Sequence, residues 1–131
     1  MNVKTANRCI EIADRDLNMA NLLLDDFADG AAFHYQQAAE KYLKGFLAAH
    51  QAPLRKSQNI STLVLDATLI DPEFVLLAKE IDLDVMTGFA TFYQYPNDQE
   101  DEFPSKEDLV CAKRFCEKVK IMFKAKIIKN T

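Results

Sequence analysis

Long stretches in which apolar side chains return every three or four residues, with few glycines or prolines to interrupt them, restrict this chain to a packing of helices. From about Thr5 to Phe27 the repeat runs Cys9/Ile10, Ala13, Leu17, Ala20, Leu24 and Phe27. A second helix is predicted from about Gly30 to His50, with Ala32, Tyr35, Ala38, Ala39, Tyr42, Leu43, Phe46 and Ala49 on one broad face. Only three glycines and four prolines occur in 131 residues, too few for the turns of an all-β chain.

The breaks between repeats have local causes. In "DDFADGAAF", Gly30 is the expected hinge and Asp29 the expected N-cap of the second helix. "QAPLRKSQ" ends that helix, because Pro53 forces Ala52 away from the α region. A short third helix follows Ser57, with Ile60, Leu63, Val64 and Ala67 inward. A fourth is expected from Pro72 to about Tyr93, with Asp71 as its cap and Val75, Ala78, Leu83, Met86 and Phe89 in its apolar series. Ser105 and Asp108 have the spacing of a capping box for the last helix, whose inner stripe is Leu109, Ala112, Phe115/Cys116, Val119, Met122/Phe123 and Ile127. Lysines crowd its last turns, where the helix dipole favours cations. The expected fold is all-α: one domain over residues 1–131, an antiparallel up-and-down bundle of four long helices plus one short helix.

The net charge of −4 and pI near 5.1 argue against a protein that coats DNA, although a local basic patch could hold one phosphate. Cys9, Cys111 and Cys116 lack zinc-ligand spacing, and Cys9 and Cys116 fall on apolar faces as small buried hydrophobes. The acidic loop Asp98, Glu100, Asp101, Glu102 lacks the alternation and central glycine of a calcium loop. No metal and no cofactor are expected. No apolar run approaches the ~20 residues that span a bilayer, and the first residues lack a signal-peptide core, so no membrane association and a cytoplasmic location are expected.

The second helix poses the functional question. Its other arc carries His34, Gln36, Gln37, Glu40, Lys41 and Lys44, with Phe33 and Leu47 set among them. Glu40 and Lys44 have the spacing of a stabilising helix pair, so a solvated face explains the polar residues. An interface or ligand face built on Phe33, Gln37, Lys41, Lys44 and Leu47 explains the two large apolar groups as well.

The segments "IADRDLNMANLLL" and "AAFHYQQAAEKYLKGFL", with "YP" after the fourth helix, resemble the HEPN domain, the higher eukaryotes and prokaryotes nucleotide-binding domain. The second helix carries most of the likeness, which extends from about Ile10 to Ile127. The resemblance implies a helical bundle, often a homodimer, that binds a nucleotide or works with a minimal nucleotidyltransferase partner in a toxin–antitoxin-like pair. Some members of the family are metal-independent ribonucleases, marked by an arginine followed four to six residues later by histidine.

That motif is absent here. Arg8, Arg15, Arg55 and Arg114 have no histidine at that distance, and "SQNIS" and Gln94-Tyr95-Pro96 place neutral amides where such members carry histidine and arginine. Amides hydrogen-bond a base or a phosphate but cannot move protons. The expectation is therefore a non-enzymatic binding module, with Gln37, Lys41, Lys44, Arg55 and Lys56 as ligand contacts, Tyr95 as a stacking platform, and Phe33 and Leu47 at an interface. The alternative is a ribonuclease toxin using an unrecognised base such as His34.

Overall fold

The computed structural model describes residues 3–52, 59–79, 86–89 and 104–129, and all its regular structure is helical. Helix α1 is Val3–Leu23, α2 is Ala28–Ala49 and α3 is Ile60–Ile70. A 3-10 helix covers Pro72–Lys79, residues 86–89 form α4, and α5 is Lys106–Lys129.

Small residues set how closely the first two helices pack. Ala6, Ala13 and Ala20 on α1 and Ala31, Ala38 and Gly45 on α2 each recur every seven positions, and all are buried. Contacts pair Asp14 with Tyr42 and Asn21 with Tyr35, so the two helices run antiparallel. Contacts of α2 with α5 increase together, from Tyr35–Cys116 to Gly45–Phe123, so this pair runs parallel. These directions are those of an up-and-down bundle. At Gly45 a Cβ would lie 2.5 Å from the Phe123 ring and 2.8 Å from Cys9 Cβ, which is why a helix interior carries glycine there.

The core is one cluster centred on α2. Phe46 packs against Phe74 at 4.6 Å and edge-on to Phe123 at 6.5 Å between ring centroids. Leu43, Ile60, Leu63, Met86, Phe89, Phe115 and Val119 complete it. Each large side chain so buried contributes ~1.5–3 kcal/mol relative to exposure.

Several boundaries follow their expected chemistry. Ser105 Oγ accepts from Asp108 N at 3.1 Å while Asp108 Oδ2 accepts from Ser105 N at 3.3 Å, a reciprocal capping box. Asn59 caps α3 by accepting from Thr62 N at 3.3 Å, and Ile60, Leu63, Val64 and Ala67 are buried as expected.

Three details differ. Helix α2 begins at Ala28 with Phe27 at the cap position and no side-chain cap, so Asp29 sits inside the first turn. Gly30 is no hinge: no glycine has a positive φ, and Gly30 instead lets Leu23 approach to 3.0 Å of its missing Cβ. The segment from Pro72 is a 3-10 helix rather than the start of a long α-helix. Its period of three buries Phe74 and Leu77 and leaves Val75, expected inside, exposed. Pro53 and Tyr95 lie outside the described residues.

Candidate seam between the first two helices

Helix α2 touches α1, α3 and α5, which leaves it little outward surface. Gln36, Glu40 and Leu47, expected on an outer arc, are therefore buried, and Leu47 packs in the core of its own chain. Phe33 is half-buried, its ring edge-on to His34 at 5.2 Å.

A polar chain runs along this part of α2. Gln37 Nε2 donates to Gln36 Oε1 at 2.6 Å, and Lys41 Nζ lies 3.5 Å from Gln37 Oε1. Lys44 Nζ donates to Glu40 Oε1 at 2.7 Å, with Lys41 Nζ 4.0 Å from the same oxygen. Glu40 is 1 % exposed, and its Oε2 has no hydrogen-bond partner. Lys41 and Lys44 are half-buried, so two ammonium groups serve one carboxylate and leave one positive charge in excess. As compact point charges they suit a phosphate or carboxylate without fixing its orientation. Opposite them on α1, burial pushes the Cys9 thiol upward, and the charges of Lys41 and Lys44 oppose that rise.

One turn toward the start of α2, His34 Nδ1 lies 2.9 Å from Asp16 Oδ1, both side chains mostly buried. His34, Gln37 and Lys41 follow at spacings of three and four, so the imidazole, amide and ammonium share one line of the helix. Asp16 could not be found from sequence, because it stands 18 positions away and meets His34 only through the antiparallel register.

A second polar group ties three helices together. Tyr42 donates to Asp14 Oδ1 at 2.5 Å, and Lys120 Nζ lies 3.0 Å from the same oxygen. Burial first, and then the bond to Asp14, raises the Tyr42 hydroxyl above its ordinary range. Tyr35, buried and donating to Asn21 at 2.7 Å, is raised chiefly by burial as well. Cys116 is fully buried as expected, its thiol donating to Tyr35 O at 3.2 Å and raised by desolvation. His50 packs against Phe46 with ring centroids 4.5 Å apart and planes tilted by 44°, its Nε2 buried and unpartnered.

Of the expected ligand residues, the fold brings Gln37, Lys41 and Lys44 together; Arg55, Lys56 and Tyr95 lie outside the described residues. Asn59, one of the amides in "SQNIS", has a structural role as the α3 cap. Among the described residues no group of three or more His, Cys, Asp or Glu could hold a metal ion, and no helix is long and apolar enough to cross a membrane.

No curated protein and no solved structure matches the chain. The model of the HEPN domain matches residues 6–125, nearly the whole of it. The helical bundle agrees with that match, and the chain belongs to the HEPN domain family.

Proposed function

We propose that this HEPN domain is a non-enzymatic binding module, a homodimer that takes a nucleotide or binds a protein partner, working with a minimal nucleotidyltransferase in a toxin–antitoxin-like pair. The observation that carries the ligand reading is the excess positive charge of Lys41 and Lys44 over the single buried carboxylate of Glu40, beside the amide of Gln37. This arrangement supplies one phosphate with charge and hydrogen bonds. The family match supports the HEPN assignment, and the partner and nucleotide are inferences from it.

Thermal unfolding with each common nucleotide tests this reading. A ligand at a hundred times its dissociation constant adds ~2.7 kcal/mol to stability and raises the midpoint. Lys41→Ala and Gln37→Ala are the informative variants, because removing Lys44 also strips the buried Glu40 of its closest partner. A shift with one nucleotide, lost in Lys41→Ala, supports the module. The absence of a shift with every nucleotide removes the ligand and leaves partner binding.

The geometry of His34 favours a second reading, a metal-independent ribonuclease. A carboxylate at 2.9 Å from Nδ1 holds the ring and sets which nitrogen carries the proton, as a general base requires. RNA cleavage abolished in His34→Ala and reduced in Asp16→Asn would establish it. Purified protein that leaves RNA intact eliminates it.

A further inference from the structure

The bundle carries two exposed apolar surfaces of opposite charge, one at the α1–α2 turn and one farther along α5. At the turn, Leu22 is 83 % and Phe27 63 % exposed. Exposed Asp25, Asp26 and Asp29 flank them, and no lysine or arginine occurs between Arg15 and Lys41 in the sequence. The adjoining cavity, about 220 Å³, is lined among the described residues by Leu24, Asp25, Ala28, Pro104 and the start of α5, including Lys106. Leu22 lies in the last turn of α1 and Phe27 immediately before α2, so two large exposed apolar groups stand near this end of the helix pair.

The second surface is a groove of about 260 Å³ between the 3-10 helix and α5, lined by Glu73, Leu76, Leu77, Lys118, Ile121 and Met122. Leu76 and Ile121 are exposed at its edges. Among the described residues around it, Arg114 and Lys118 on α5 and Lys79 at the end of the 3-10 helix outnumber Glu73 in its lining and Glu117 beside Lys118, a modest cationic excess. Residue 121 stands 15 positions beyond residue 106, so roughly 22 Å of helix separates the levels of the two surfaces.

We propose that the acidic, apolar turn of one copy docks into the basic-edged groove of a second copy, with Phe27 and Leu22 entering between Leu76 and Ile121. This rests on the homodimer reading above and specifies its contact. The occupant follows from charge: the turn needs a cationic apolar partner, the groove an anionic apolar one, and the same chain presents both. If the two copies lie antiparallel, each turn meets the other's groove and the assembly closes as a two-fold dimer. Rim charges of this kind set register and give an association that weakens with salt.

The experiment is mass by light scattering or sedimentation on the full chain and on two charge-reversed variants. One carries Asp25→Lys and Asp26→Lys, the other Arg114→Glu and Lys118→Glu, with far-UV circular dichroism confirming that both fold. The wild type is expected to be a dimer, each variant alone a monomer, and their equimolar mixture a dimer again, because mixing restores opposite charges at both contacts. Phe27→Asp is expected to weaken association by about 30-fold or more, the change that corresponds to a hot-spot residue of about 2 kcal/mol. An open series of higher masses dissolved by the same variants supports the turn-to-groove contact without two-fold closure. A monomeric wild type overturns both this contact and the homodimer reading. A dimer unchanged by all the variants overturns the contact alone and leaves the homodimer on another face.

Discussion

At the scale of single residues, two glycines with opposite surroundings provide a direct test of the packing. Gly45→Ala forces a methyl to within 2.5 Å of the Phe123 ring, and overpacking of this kind destabilises by about 1–3 kcal/mol. Gly88 is helical and has nothing within 4 Å of its missing Cβ, so Gly88→Ala is expected to stabilise by up to about 1 kcal/mol through helix propensity. Urea midpoints that move the same way for both would contradict the close approach at Gly45. Gln51 supplies a second test: it has φ 58° just beyond α2, where Ala52 N bonds Leu47 O and Gln51 N bonds Ala48 O. That is the bonding of a Schellman motif, which favours glycine at the left-handed position. Gln51→Gly is expected to stabilise by about 0.5–1 kcal/mol, since a side chain is disfavoured there. An unchanged or lower denaturation midpoint would count against this ending of the helix.

At the scale of elements, α2 departs most from a helix with one wet face. Its repeat identified Tyr35, Tyr42, Leu43 and Phe46 as core, and they are buried. Periodicity did not reveal that Gln36, Glu40 and Leu47 would be covered too, because a hydrophobic stripe registers one neighbour and α2 has three. A carboxylate buried in this way depends on its lysine. Lys44→Ala is expected to cost about 3 kcal/mol, the lower end for breaking a buried pair, because a fifth of the Lys44 side chain remains in water. Replacing Glu40 and Lys44 together with Leu and Met should cost less than Lys44→Ala alone, since the buried carboxylate leaves with its closest partner and the remaining Lys41 keeps part of its side chain in water. Equal losses in the single and double variants, measured by chemical denaturation, would show that the pair has no such coupling. The 3-10 segment gives a similar lesson at a smaller scale. Phe74 and Leu77 stand three apart and Val75 lies off their line, but an α or 3-10 period is hard to choose over eight residues.

At the scale of the whole molecule, hydroxyl and thiol groups are held neutral where three helices meet. Tyr42 and Tyr35 are raised above their ordinary value of 10 and Cys116 above 9, chiefly by burial. Because the protonated form is favoured in the folded state, the stability tied to these groups is fully present below pH 9. It falls as pH passes above 9 for the thiol and above 10 for the phenols, where the unfolded chain ionises first. Urea midpoints followed from pH 7 to about 11 should fall over that range, and Tyr42→Phe should flatten the decline; an unaltered slope would remove Tyr42 as a contributor. The sequence by itself determined the helical class, the principal core residues, the α5 capping box and the family resemblance. Each is written within one element, in a 3.6-residue period or a short local spacing. Only the tertiary structure decided that Asp16 meets His34, that Asp14 joins Tyr42 to Lys120, and that Glu40 is sealed beneath its lysines. Those contacts depend on the register and direction of helices far apart in the chain, which the small residues along α1 and α2 fix only once the helices have packed.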